Sequence, residues 1–191
     1  MIIVDNVTTP ANAAHLENLM LDHPWYYLRS TAYNQHDGVE SKPYDPSWVS
    51  MIYNHGEIMS PLMHLAQSVL INALHQNNLS MSKLVRIRAG LTTRTPYPIT
   101  HAPHVDWDDE HMTGLYYVND SDGDTLFYNE LRDPKIDTSS FDWSKDRKFT
   151  LNKAVTPKAD RFVIFNGLNY HSSTSPVNTD YRIIINYNWI P

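Results

Sequence analysis

The second half of this chain is a run of short apolar segments with no helical pattern between them. "KLVRIRAG" (83–90), "TGLYYVN" (113–119), "DTLFYNE" (124–130), "RFVIFNG" (161–167) and "YRIIINYNWI" (181–190) are rich in β-branched or aromatic residues and read as strands. "NDSDGD", "NELRDP" and "TPKAD" supply the turn chemistry that separates them. Several strands at irregular spacing, without helical crossovers, point to a jelly roll or barrel.

Ahead of these strands the pattern differs. "MIIVDNV" reads as a strand, and "TPANAAHLENLMLDHP" as a helix with Thr9 as N-cap and Pro10 in its first turn. "HDGVESKPYDPSW" is a loop by its Gly, Pro and Asp content, and "FDWSKD" further on reads as a short helical turn. The clearest helix is "SPLMHLAQSVLINALHQNNLS". Ser60 caps it, Pro61 opens it, and Leu62, Leu65, Ala66, Val69, Leu70 and Ala73 recur at three and four. Helices first and strands afterwards predict an α+β fold, with helices packed outside a sheet structure. Without a linker or repeat, the 191 residues form a single domain, 1–82 mainly helical support and 83–191 the strand core.

Composition narrows the partners. The formal charge of −6 and the scattered basic residues make nucleic acid an unlikely partner, although Lys83, Arg86, Arg88 and Arg94 lie close together. The absence of cysteine removes disulfides, thiolate zinc sites and a cysteine nucleophile together. No apolar run reaches the ~18–20 residues of a membrane span, and the start lacks the regions of a signal peptide. A soluble, cytoplasmic protein is the expectation.

Chemistry concentrates in "ITHAPHVDWDDEHMTGLYYVND" (99–120). Its His104-Val105-Asp106 triplet is weak alone, since about 0.8 His-x-Asp triplets are expected by chance at this His and Asp content. In an extended segment, which Pro103 favours, His104 and Asp106 project to one side. An imidazole beside a carboxylate supplies two ligands of a facial triad, an arrangement that suits Fe(II) by leaving positions open for substrate and oxygen. His171, after the strand at 161–167, is the candidate third ligand. Eleven residues on, Arg182 enters the last strand, whose alternation sets Arg182, Ile184, Asn186 and Asn188 on one face. Tyr181, Ile183, Ile185, Tyr187 and Trp189 take the other face, toward the helices. The first face then lines a wet cavity, where a guanidinium seeks a carboxylate.

His104, Asp106, His171 and Arg182 in this order and spacing resemble the Fe(II)/2-oxoglutarate-dependent dioxygenases, and among them the prolyl 4-hydroxylase-like branch. "GLYYVNDSDGDTLFY" and "PKADRFVIFNGLNYHSSTSPV" are similar to segments of that branch, and the resemblance spans about Lys83 to Ile190. It implies a double-stranded β-helix (jelly roll, cupin-like) core with N-terminal supporting helices. It also implies Fe(II) on His104, Asp106 and His171, with 2-oxoglutarate as cosubstrate. The far carboxylate of 2-oxoglutarate would rest on Arg182 and Tyr117. O2 would be consumed, succinate and CO2 released, and a substrate hydroxylated, a prolyl or peptidyl group being favoured and a small metabolite open. Iron affinity should fall as pH drops through the histidine range near ~6.5. The alternative is a cupin-like protein that holds a metal without turnover, or an oxygenase acting on nucleic acid.

Other positions fit less well. Arg88 stands about where the branch often has a tyrosine, and contacts either 2-oxoglutarate or the substrate. Asn186 is a weaker second partner for the cosubstrate. The loop at 91–103 is long for the family. His101 and His111 are read as surface or substrate-loop residues, and Trp107 and Asp108 as candidates for the mouth of the site. His55-Gly56-Glu57 is a chance imitation of the motif, with no strand around it.

Overall fold

The computed structural model describes residues 1–29, 47–135 and 148–191. In order these form β1 (Ile2–Asp5), α1 (Pro10–Leu21), β2 (Tyr26–Leu28), β3 (Ser47–Asn54), β4 (Glu57–Ile58), α2 (Met63–Gln76) and β5 (Lys83–Thr93). Then follow β6 (Met112–Tyr117), β7 (Thr125–Leu131), β8 (Leu151–Val155), β9 (Arg161–Asn166), β10 (Asn169–Ser173) and β11 (Tyr181–Ile190). An eight-stranded sheet runs β1-β9-β6-β11-β5-β3-β2, with β4 paired to β3, and a three-stranded sheet runs β10-β7-β8. Every pairing is antiparallel.

Two apolar cores hold these layers together. On one face of the large sheet, Ile87, Tyr116, Phe162, Ile183, Ile185, Tyr187 and Trp189 pack against Leu16 and Met20 of α1 and Ala66, Val69, Leu70 and Ala73 of α2. On the other face, Leu115, Tyr117, Val163 and Phe165 meet Phe127 and Val155 of the small sheet. β11 contributes to both, so its alternation turns one row toward the helices and the other toward the small sheet. The Tyr187 hydroxyl donates to the Ala66 carbonyl at 2.9 Å, tying α2 to the strand. No helix among the described residues is long and apolar enough to cross a membrane.

The expected elements recur with several corrections. Thr9 caps α1 by accepting from the Asn12 amide. Ser60 does not cap α2, which begins at Met63 behind Leu62. Ser60 and Pro61 instead belong to the preceding turn, where the Ser60 hydroxyl accepts from the Leu62 amide at 3.2 Å. β3 has no counterpart in the expected elements, and its first residues, Ser47 and Trp48, end the segment read as a loop; the rest of that loop (36–46) and the "FDWSKD" turn (141–146) lie outside the described residues. His55 and Gly56 form a hairpin turn between β3 and β4, both with positive φ (46° and 101°), so strands do flank that imitation of the motif.

Two carboxylates fasten loops to the sheet. Asp160, itself left-handed at φ 62°, accepts from the Thr8 amide and hydroxyl and from the Tyr116 hydroxyl, anchoring the N-terminal segment. Asp122, in the β6–β7 turn, accepts from the amides of Val177, Asn178 and Thr179 and from the Thr179 hydroxyl. Burial works against the Asp122 charge, but these donors prevail and hold the carboxyl well below the usual range. Its folded value lies below its unfolded one. The stabilisation is therefore complete above about pH 4 and lost as pH falls further. Asp122→Ala is expected to cost about 2 kcal/mol at neutral pH, lowering the melting temperature by roughly 4–8 °C, with the difference from wild type shrinking in acid. Thermal melts at neutral and acid pH check this.

Candidate metal centre and its cavity

The segment before β6 is extended and lies along β10. The His101 amide donates to the Ser173 carbonyl at 2.8 Å, and His104 and His171 exchange both backbone hydrogen bonds, at 2.9 and 3.0 Å. That antiparallel bridge sets the two imidazoles side by side, ring centroids 4.7 Å apart. Asp106, two residues after His104, turns to the same side. Ligand atoms of His104, Asp106 and His171 all lie within 4.8 Å of one another.

Each member is held for metal binding. The Nδ1 of His104 lies 3.0 Å from the Ala102 carbonyl, and that of His171 lies 3.1 Å from the Asn169 carbonyl. A carbonyl can only accept, so Nδ1 carries the proton and Nε2 keeps its lone pair for a cation. Phe127 and Phe165 flank the His171 ring. The Asp106 Oδ1 accepts from Arg86 Nη2 at 3.0 Å, while Oδ2 accepts from Asn186 at 2.8 Å and Asn188 at 3.3 Å. Oδ2 also faces His171 Nε2 at 3.8 Å.

The electrostatics agree with this donor set. Burial pushes the His104 pKa down to about 4, with nearby His171 adding to the effect. Burial also lowers His171. Burial opposes the charge of Asp106, yet Arg86 and the two histidines outweigh it and hold the carboxyl far below its ordinary value. Two neutral imidazoles and one carboxylate on one side of a cavity form the 2-His-1-carboxylate pattern. The residues present fit a divalent iron.

The cavity, about 610 Å³ including space open to solvent, is also lined by Arg88, Gly90, Thr92, His101, Leu115, Thr125, Arg182, Ile184 and Asn186. Arg182 is buried; its Nε donates to the Gly123 carbonyl at 2.8 Å and its Nη2 to Thr125 Oγ1 at 2.7 Å. A Cβ on Gly123 would come within 2.6 Å of the Thr174 carbonyl and 3.0 Å of the Arg182 side chain, so the turn requires glycine there. Tyr117 is fully buried behind the wall: its hydroxyl donates to Thr125 Oγ1 at 2.7 Å, and its ring lies 5.7 Å from the Arg182 guanidinium carbon.

The expected residues therefore divide. His104, Asp106, His171 and Arg182 converge on one cavity. Asn186 lines it too, but its amide nitrogen is spent on Asp106. His101 is a buried part of the wall, its Nε2 3.1 Å from the Ser175 hydroxyl, and not a surface residue. His111 is buried as well, its ring pressed on Gly167, where a Cβ would meet Nε2 at 2.1 Å. Trp107 sits between the rings of His55 and His111, and Asp108 is exposed and pairs with Arg132. Asn188, expected on the cavity face of the last strand, donates to Asp106, whereas Arg86 and Thr125 were missed as site residues. For Arg86 a signal existed: on β5 it shares a face with Arg88, opposite Val85, Ile87 and Ala89. The apparent basic cluster is no surface patch, because Arg86 and Arg88 turn toward the cavity side while Arg94 pairs with Asp180.

Comparison with solved structures places this architecture. The chain matches an oxidoreductase of the 2OG-Fe(II) oxygenase family from Burkholderia pseudomallei, with a TM-score of 0.65 at 10% identity over 99% of this chain and 84% of that one. A prolyl-4-hydroxylase from Pseudomonas putida matches with a TM-score of 0.57 at 11% identity, over 100% and 92% of the two chains. HygX from Streptomyces hygroscopicus, with nickel and 2-oxoglutarate bound, matches with a TM-score of 0.62 at 10% identity, over 100% and 82%. The fold is that of the 2-oxoglutarate/Fe(II) oxygenases. At the level of sequence, no family model and no curated protein matches the chain.

Two outcomes follow from the site. Arg86→Met removes the counter-charge of Asp106 and is expected to weaken divalent metal binding by about 10–100-fold, read by competition with a chromogenic chelator. The buried histidines also shift the pH range expected from ordinary imidazoles. Their folded pKa values lie below the unfolded ~6.5, so the folded metal-free protein resists protons that the unfolded chain accepts. Its stability is then full above about pH 6.5 and falls below it, by at most about 1.4 kcal/mol per pH unit for each histidine, the His104 contribution running down to about pH 4. Denaturant unfolding at several pH values measures that slope.

Proposed function

We propose that this chain is an Fe(II)- and 2-oxoglutarate-dependent oxygenase built on a double-stranded β-helix. The observation that carries the reading is the placement of His104, Asp106 and His171 at one end of a cavity whose wall also carries the buried Arg182. Fe(II) with bound 2-oxoglutarate would activate O2, release succinate and CO2, and hydroxylate a substrate C–H bond.

The protein's own groups have definable tasks. His104 and His171 present Nε2, and Asp106 presents Oδ2, each oriented by its outer hydrogen bonds. Four residues separate Arg182 from Asn186 along β11, so Arg182 stands about 13 Å of strand away from the position beside Asp106. That separation leaves room for a five-carbon diacid between the metal and the guanidinium. Thr125 Oγ1 accepts from both Tyr117 and Arg182, which fills its two lone pairs. Its own proton is then left for an acceptor in the cavity, the far carboxylate of 2-oxoglutarate. Tyr117 thus acts through Thr125, as a positioning residue, and Arg182 supplies the charge.

The prolyl or peptidyl preference rests on the sequence resemblance. The fold is shared by prolyl hydroxylases, by the alpha-ketoglutarate-dependent epimerase SnoN (TM-score 0.65, 13% identity) and by HygX, so it accommodates several substrate classes.

Anaerobic addition of 2-oxoglutarate to the Fe(II)-loaded protein should produce a metal-to-ligand charge-transfer absorption. Arg182→Ala should raise the half-saturating 2-oxoglutarate concentration at least about tenfold, the loss of one charge-assisted contact. No absorption in the wild type, or unaltered saturation in Arg182→Ala, would overturn the reading. Succinate release under air, with and without candidate substrates, separates an oxygenase from a cupin-like protein that holds metal without turnover.

A further inference from the structure

The cavity wall carries a second guanidinium for which the chemistry above has no use. Arg88 lies on β5, directly paired with Asn186 of β11 and Met51 of β3, and lines the cavity. Its neighbour on the same face, Arg86, is engaged at two nitrogens: Nη2 on Asp106 and Nε on Asn188 Oδ1 at 2.9 Å. Arg88 makes no hydrogen bond or ion pair among the described residues. Burial pulls its pKa down to about 10, the like charge of Arg86 adding to that effect and the attraction of Asp106 only partly opposing it. A half-buried cation without an acceptor is costly unless a ligand supplies one.

Its position favours a ligand other than 2-oxoglutarate. The line from Arg182 to the metal ligands follows β11, past Ile184 to Asn186, which holds Asp106. Arg88 stands one strand to the side of that line, about 4.8 Å, toward the wall formed by Ser47 and Val49 of β3 and away from the small sheet. The charges point the same way. Arg86 and Asp106 cancel, and a divalent iron cancels the dianion of 2-oxoglutarate. Arg182 and Arg88 then leave the assembled site two charges positive, in a chain whose formal charge is −6. We propose that Arg88 anchors an anionic group of the primary substrate, a carboxylate or a phosphate, held bidentately beside the metal. The proposal rests on the oxygenase reading and adds the substrate class to it.

The test uses acetate and inorganic phosphate as probes on the anaerobic Fe(II)–2-oxoglutarate complex. The reading of the site as a whole fails if the wild type shows no charge-transfer absorption. Given that absorption, one of the probes should perturb it saturably in the wild type, and whichever saturates at lower concentration identifies the anion class. Arg88→Gln should raise that half-saturation at least tenfold, and Arg88→Lys, which keeps the charge without the fork, should fall between the two. In the metal-free protein Arg88→Gln should melt no lower than wild type, because an unpaired charge is removed. The proposal is overturned by a complex that neither probe perturbs, or by a perturbation of equal half-saturation in Arg88→Gln. It is equally overturned if Arg88→Gln raises the half-saturation for 2-oxoglutarate itself more than tenfold, which would make Arg88 a cosubstrate residue.

Discussion

The site depends on a pair of backbone hydrogen bonds. His104 and His171 are far apart in sequence, and neither belongs to a long regular ladder at the point where they meet. Their reciprocal N–H···O=C bonds, at 2.9 and 3.0 Å, hold the segment before β6 against β10. Side chains directly opposite each other in such a pair share a face at close range. One local pairing thereby brings two imidazoles together and, through the period of two, carries Asp106 with them. The pairing continues at Thr100 with Thr174, and at the His101 amide with the Ser173 carbonyl, so the ligand segment is docked at more than one point.

The other half of the geometry comes from β11, which serves packing and chemistry at once. Ile183, Ile185, Tyr187 and Trp189 bury themselves against α2 and its surroundings, so the strand cannot slip by one residue without losing that core. The same constraint fixes Arg182, Ile184, Asn186 and Asn188 on the opposite face. Apolar burial thus sets the register, and the register sets which groups hold Asp106 and which reach the far end of the cavity. The amides then keep the carboxylate oriented, in concert with Arg86 from the neighbouring strand. The metal ligands themselves contribute little to that register.

Much of this was legible in the sequence, because strong alternation survives translation into structure. The two faces of β11, the shared side of His104 and Asp106, and the heptad-like spacing of α2 are consequences of helical and strand periods. What escaped has weaker local signals. β10 is short and polar, "NYHSS", and draws its pairing from β7 and from the ligand segment. β8 is exposed along most of its length, so no apolar alternation marks it. β3 follows a loop-like composition and is recruited by β5. Ser60 has the chemistry of a cap, but the turn it closes delays the helix to Met63. The role of Thr125 needs three elements at once, since its hydroxyl acquires meaning only when Tyr117 and Arg182 both donate to it.

Sequence, packing and polar satisfaction agree over most of the chain, which gives weight to the places where they do not. Buried carboxylates such as Asp160 and Asp106 are surrounded by donors, and Asn119 is satisfied at both ends of its amide. Among the described residues one exception, the buried Nε2 of His111, lies outside the cavity lining, and two others meet at the cavity. Among the described residues Arg88 has no acceptor, and the Oδ1 of Asn186, its cross-strand partner, is buried with no donor. A cation lacking an acceptor beside an acceptor lacking a donor is a local conflict that folding alone would not favour. A ligand that brings an anionic group to Arg88, together with an N–H or O–H that reaches Asn186, removes both deficits in one event.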